Sequence, residues 1–106
     1  MVSTPEAKIK QRVKKILEEH GVYFFMPATG GYGRSGIPDV VGCYRGYFFA
    51  VECKAGRGTT TALQDRELRR IREAGGSTFT INENNIEELS LWLRDNSAMT
   101  VPKRGE

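Results

Sequence analysis

Histidine and cysteine are scarce in this sequence, and long apolar runs are missing altogether. The two cysteines, Cys43 and Cys53, fit no metal-binding spacing and are too few for a disulfide framework. Both fall in predicted strands, where a small, buried, apolar role is expected. The single histidine, His20, stands at the end of the first predicted helix. It is read as a partner for the last helical carbonyls rather than as a general base. No run approaches the length of a membrane span, and the first residues lack a signal-peptide pattern. An intracellular, cytoplasmic chain is therefore expected. The charge excess is mild: 16 basic against 13 acidic residues, net +3. That is weaker than in proteins that hold nucleic acid by charge alone.

The composition is that of an ordinary soluble protein, and 106 residues suffice for one modest core. There are no internal repeats. One domain over residues 1–96 is expected, followed by a flexible C-terminal tail over 97–106 that contains Pro102 and Lys103-Arg104 but no periodicity.

Ser3-Thr4-Pro5-Glu6 is a helix start: Thr4 can cap, Pro5 suits the first turn, and Glu6 faces the positive end of the dipole. The helix is expected to reach His20 and stop at Gly21. Its apolar stripe is Ile9, Val13 and Leu17, and Glu6 falls on that stripe. Lys8, Lys10, Arg12, Lys14 and Lys15 lie on this helix; Arg66, Arg69, Arg70 and Arg72 lie on a later one. They suit a solvated face or a phosphate backbone equally well.

Residues 22–26 read as a short aromatic strand ended by Pro27. The glycine-rich loop after it matches G-x-G-x-x-G from Gly31 to Gly36. A dinucleotide fingerprint needs a helix directly behind it, whereas Pro38 and a β-branched strand follow here. The loop instead reads as a segment beside a site, with Tyr32 and Arg34 as candidate contacts to a base and a phosphate. Arg57, in the later loop Gly56-Arg57-Gly58, is a third candidate nucleic-acid contact.

Two strands, 37–44 and 47–54, are joined by Arg45-Gly46, a hairpin signal. A two-residue turn pairs Tyr44 with Tyr47. Counting outward places Asp39 opposite Glu52, with Lys54 on the same face. Cys43 and Cys53 then lie on opposite faces, too far apart to be bridged. A bulge at Gly46 would shift this register by one residue. Thr59, Thr60 or Thr61 caps the next helix, which ends near Ala74 and carries Gln64 in its first turn. A fourth strand spans 77–81. Asn84 or Asn85 caps a last helix, with Glu87 or Glu88 as capping-box partner and Trp92 in the core or an interface.

Two carboxylates from adjacent strands form a hard oxygen site suited to Mg²⁺ or Mn²⁺. Asp39 and Glu52 are the expected ligands, and the backbone carbonyl of Cys53 is a further candidate. Glu6 can serve a second metal or a metal-bound water. Lys54 can orient the attacking water or offset charge on a scissile phosphate.

Asp39 after Gly36-Ile37-Pro38, followed by Glu52-Cys53-Lys54, resembles the PD-(D/E)xK nuclease superfamily. With Glu6 in the first helix and Gln64 ten residues after Lys54, the chain is similar to the VRR-NUC domain, in a minimal stand-alone form like those of phages and bacteria. The resemblance spans about residues 4–93. It implies a restriction-endonuclease-like α/β core in the order α-β-β-β-α-β-α, with a mixed sheet of about four strands. It also implies an Mg²⁺- or Mn²⁺-dependent endodeoxyribonuclease with Glu6, Asp39, Glu52, Lys54 and Gln64 in its catalytic site. Branched DNA such as a Holliday junction is the expected substrate and a homodimer the expected assembly. A repair- or restriction-type nuclease on linear or flapped DNA, and a non-cleaving DNA-binding module, are the alternatives.

Overall fold

The computed structural model describes residues 4–28 and 35–98. Three helices and four strands follow one another as α1 (Pro5–Glu19), β1 (Tyr23–Phe25), β2 (Val40–Tyr44), β3 (Tyr47–Cys53), α2 (Ala62–Glu73), β4 (Ser77–Ile81) and α3 (Glu87–Asn96). They build a mixed α/β fold compatible with a restriction-endonuclease-like core. The sheet order is β1-β2-β3-β4. The first three strands are antiparallel, and β4 joins β3 in parallel. The parallel pairing follows from α2, which carries the chain back along the sheet as a crossover.

The central hairpin turns through Arg45 and Gly46, at φ 54° and 92°. Positive φ at both central residues is what a primed two-residue turn demands, and glycine meets it without steric cost. Tyr44 consequently pairs with Tyr47, and the register runs without a bulge to Val40 opposite Val51. The next rung outward sets Asp39 against Glu52.

The two faces of the sheet are covered unequally. Ile9, Val13 and Leu17 of α1, and Leu89 and Leu93 of α3, pack with Val40, Tyr44, Phe49, Val51, Cys53 and Ile81 on one face. Burying each of the larger side chains contributes about 1.5–3 kcal/mol. Trp92 completes this core, with ring contacts to Tyr44, Tyr47, Phe49 and Phe79. On the other face α2 lies over β3 and β4.

That unequal cover corrects one expectation. Cys53 is buried, but Cys43 is exposed, because its side chain points to the face that α2 leaves open on β1 and β2. Two local details also differ. The strand expected from Ile37 begins at Val40, since Gly36 sits at φ 84° and Pro38 has no N–H to give to a ladder. The last helix has Ile86 at its N-cap with no side-chain cap. The asparagines bond among themselves instead. Asn82 Oδ1 accepts from the Asn84 and Asn85 amides, and Asn85 donates to the Thr80 carbonyl at 2.8 Å. Local Asx bonding has outcompeted the cap.

The ends of α1 match their sequence signals. Thr4 accepts from the Ala7 amide at 3.0 Å, and His20 Nδ1 meets the Ile16 carbonyl at 2.9 Å. Residues 99–106, most of the segment expected to form a tail, lie outside the described residues.

Candidate functional site

The site is assembled where β2 begins and β3 ends. Gly36 holds the approach to β2 against the start of α2: a Cβ at this residue would run into the backbone of Leu63 and Gln64. The loop is thereby pinned to α2, and Asp39 emerges beside Glu52. The Asp39 carboxylate is used on both oxygens. Oδ2 accepts from the Cys53 amide at 2.8 Å, and Oδ1 lies 3.2 Å from the Lys10 ammonium.

Glu52 is 2% exposed at the end of an otherwise apolar strand. Gln64 donates to its Oε2 at 3.3 Å. The same Gln64 closes a capping box with Thr61: Thr61 N–H donates to Gln64 Oε1 at 2.9 Å, and Gln64 N–H donates to Thr61 Oγ1 at 3.2 Å. Both ends of the amide are therefore fixed, one by the helix start and one by the acidic group.

Glu6 arrives from the first turn of α1, half-buried on the stripe that carries Ile9, Val13 and Leu17. One carboxylate oxygen from each of Glu6, Asp39 and Glu52 lies within 4.8 Å of the others. Lys54 follows β3 directly, half-buried, with its backbone amide bonded to the Ile81 carbonyl at 2.9 Å.

Like charges at this spacing repel, and the electrostatics record it. Burial, the hydrogen bond to Asp39 and the Asp39 charge push Glu52 up to about 8, while Lys54 works in the opposite direction. Glu52 therefore keeps its proton to a higher pH than an exposed glutamate does. Partial burial works against the charge on Lys10, but Asp39 outweighs it and raises the ammonium above its ordinary range. Burial, then the charges of Asp39 and Glu52, push the Cys53 thiol up to about 12. The sulfur stays protonated, and Cys53 meets the site through its backbone.

Three carboxylates converging on one point form a hard oxygen donor set that fits a divalent cation of the Mg²⁺ or Mn²⁺ class. Burial and the charge of Asp39 disfavour ionised Glu52, and such a cation would offset that repulsion.

Glu6, Asp39, Glu52 and Gln64, expected from the sequence, are brought together, with Lys54 close enough to act on Glu52. Arg57 is exposed on the turn after Lys54, a turn held by the Gly56 amide donating to Glu83 Oε1 at 2.7 Å. Tyr32 and Arg34 lie outside the described residues. Sequence reasoning missed Lys10. It was counted among the basic residues of α1, although it stands four residues after Glu6 and so belongs to the same helix face.

No curated relative matches the sequence. The family model described as archaeal Holliday junction resolvase (Hjc) matches residues 6–79. That stretch begins at Glu6 and contains Asp39, Glu52, Lys54 and Gln64. The match covers most of the chain, and the fold and the acidic group agree with it: the chain belongs to the Hjc family of Holliday junction resolvases, a family of PD-(D/E)xK-type nucleases.

Proposed function

We propose that the chain is a structure-selective endodeoxyribonuclease that uses Mg²⁺ or Mn²⁺ to hydrolyse phosphodiester bonds in branched DNA such as four-way junctions, and that it works as a homodimer. The convergence of Glu6, Asp39 and Glu52, with Lys54 directly after the strand that carries Glu52, carries this reading. Asp39 and Glu52 would hold the metal, with the Cys53 carbonyl as a backbone ligand and Glu6 serving a second metal or a bound water. When bound, the metal polarises the scissile phosphate and lowers the pKa of a coordinated water. Lys54 would orient the attacking water or offset charge developing on phosphorus. Gln64 fixes the rotamer of Glu52, and the Cys53 amide and Lys10 fix that of Asp39.

Glu6 in α1 and Gln64 in α2 support a minimal VRR-NUC-like form within the superfamily. The basic residues of α1 and α2, together with Tyr32, Arg34 and Arg57, would hold the DNA backbone and the branch. Two copies related by a two-fold axis would place two sites on the two symmetric strands of a junction.

One experiment tests this reading. Labelled four-way junction, flap and linear duplex are incubated with the protein in Mg²⁺, Mn²⁺ or EDTA. Metal-dependent cutting of the junction in preference to the duplex is expected. Equal cutting of duplex and junction would remove the structure selectivity. Binding without cutting in either metal would leave only a DNA-binding module. Cutting that survives Glu52→Ala would overturn the site.

A further inference from the structure

We propose that Lys10 is a transferable counter-charge: it holds Asp39 in the metal-free protein and passes to a phosphate oxygen of the DNA strand once a divalent cation takes Asp39, so that metal and DNA strengthen each other's binding. The proposal rests on the nuclease reading above and gives Lys10 a second task besides positioning Asp39. Lys8, Arg12, Lys14 and Lys15 of α1 are exposed, whereas Lys10 is half-buried. It stands one turn after Glu6, on the helix face that meets the acidic group. Its Nζ lies 3.2 Å from Asp39 Oδ1, while Asp39 Oδ2 is taken by the Cys53 amide at 2.8 Å. Oδ1 is therefore the oxygen that the backbone leaves to a cation, and Lys10 holds it. A doubly charged ion arriving at Asp39 repels the ammonium from that place.

The surroundings let Lys10 leave without disturbing the site. Its side chain is 38% exposed, so the pair with Asp39 is weak and has a path to solvent. The Cys53 amide stays on Asp39 Oδ2 and keeps that carboxylate in position. Lysine carries a compact point charge on a flexible four-carbon stem, so the ammonium can shift while α1 stays anchored by Ile9, Val13 and Leu17. Partial burial works against the charge, but Asp39 and then Glu6 outweigh it, so what moves is a full positive charge. The displaced ammonium remains beside the acidic group, where hydrolysis requires a phosphate to sit. A charge-assisted hydrogen bond to a phosphate oxygen is the nearest replacement for the one lost. Metal binding thereby uncovers a DNA contact. By linkage, DNA that holds Lys10 removes the metal's competitor for Asp39.

The test reads binding rather than cutting. Lys54→Met is the background, so that the DNA stays whole in Mn²⁺. Linear duplex and four-way junction are both used, since a phosphate contact does not depend on sequence. Affinity is measured against salt concentration in EDTA and in Mn²⁺. Mn²⁺ should steepen the logarithmic salt slope by about 0.9 more with Lys10 present than in Lys10→Met, the increment of one phosphate contact. Lys10→Met should weaken DNA binding about fivefold in Mn²⁺ and much less in EDTA, and Lys10→Arg should restore it. In the reciprocal titration, DNA should raise Mn²⁺ affinity about fivefold more with Lys10 than with Met. Equal loss in EDTA and Mn²⁺ would make Lys10 an ordinary phosphate contact and overturn the transfer. No loss in either would leave it only a positioning residue and overturn the transfer as well. Cutting by the unsubstituted protein is measured in parallel. A protein that cuts junctions but lacks the coupling sinks only the transfer, whereas coupling in a protein that cuts nothing keeps the transfer and sinks the nuclease reading. DNA that binds in neither condition sinks both.

Discussion

Asp39 and Glu52 face each other one rung beyond the last pair of the β2–β3 ladder, and burial together with the nearby Asp39 holds the proton on Glu52 up to about 8. A divalent cation bound between them has to displace it. With Glu52 at about 8, metal binding near pH 7 should release close to one proton per cation, and near pH 9 almost none. Mn²⁺ titrated calorimetrically in buffers of different ionisation enthalpy reads this number directly. A value of zero at pH 7 would show that Glu52 is already ionised there and that its raised pKa is wrong.

The same proton makes the stability of the metal-free protein depend on pH. Glu52 is raised in the folded chain above its ordinary 4.5. Its contribution is therefore complete below about 4.5 and is lost as pH rises toward 8, because the unfolded chain ionises first. The loss amounts to about 1.4 kcal/mol per pH unit for one proton. Thermal melts in EDTA should fall in Tm from pH 5 to pH 8. Glu52→Gln should flatten that fall, and saturating Mn²⁺ should reverse part of it. A Tm independent of pH across this window in the unsubstituted protein would contradict the raised Glu52.

Lys54 and Lys10 are both cations of the acidic group, but their surroundings assign them different work. Lys54 lies just beyond β3, two residues after Glu52, and acts on its charge; Lys10 is paired to Asp39 from α1. Lys54→Met should lower junction cleavage about a hundredfold or more, as expected for loss of a group that acts on the transition state. Its Mn²⁺ affinity should stay within about threefold of the parent. A loss confined to metal affinity would make Lys54 a structural counter-charge instead.

Lys10→Met should behave in the opposite way. The pair is partly exposed, at 38% and 16% for the two side chains, so its contribution to stability is under about 1 kcal/mol. Removing a positive charge next to Asp39, however, removes a competitor for the metal. Mn²⁺ affinity at low salt should rise about five- to tenfold, and the gain should shrink as salt is added. Weaker binding would show instead that Lys10 is needed to hold Asp39 in place.

The parts of the structure that were readable from the sequence are those set by local chemistry. A two-residue turn at Arg45-Gly46 let the register be counted to Asp39 opposite Glu52, and the positive φ of both turn residues with an unbulged ladder excludes the one-residue shift that a bulge at Gly46 would have made. Glu6 was legible because helical periodicity put it on the apolar stripe of α1. What was not legible depends on which element covers which strand. Cys43 and Cys53 look alike in sequence, and only the position of α2 over β3 and β4 leaves the first exposed. The Lys10–Asp39 pair was hidden for the same reason, since nothing local to α1 announces that β2 starts beneath it. The asparagine run before α3 offered two outcomes with the same residues, a cap or an Asx turn, and bonding to Thr80 on the sheet decided between them.

Gln64 joins the capping box of α2 to the acidic group, and substitutions there should separate the two roles. Gln64→Ala removes the amide from both Thr61 and Glu52. Loss of a helix cap interaction costs about 1 kcal/mol, which for a domain of this size lowers Tm by about 4–8 °C. Cleavage should fall as well, because Glu52 loses the donor that fixes its rotamer. Gln64→Glu can still accept from the Thr61 amide, so the cap survives. It also sets a fourth carboxylate against Glu52 where a donor stood. The Tm of Gln64→Glu should match the parent near pH 5, where the carboxylates can share protons, and fall below it near pH 8. Metal should narrow the gap at pH 8. Melts of both variants at the two pH values, with EDTA and with Mn²⁺, give the answer. Equal losses for Ala and Glu at both pH values would mean that the capping box alone explains Gln64 and that its contact with Glu52 carries no weight.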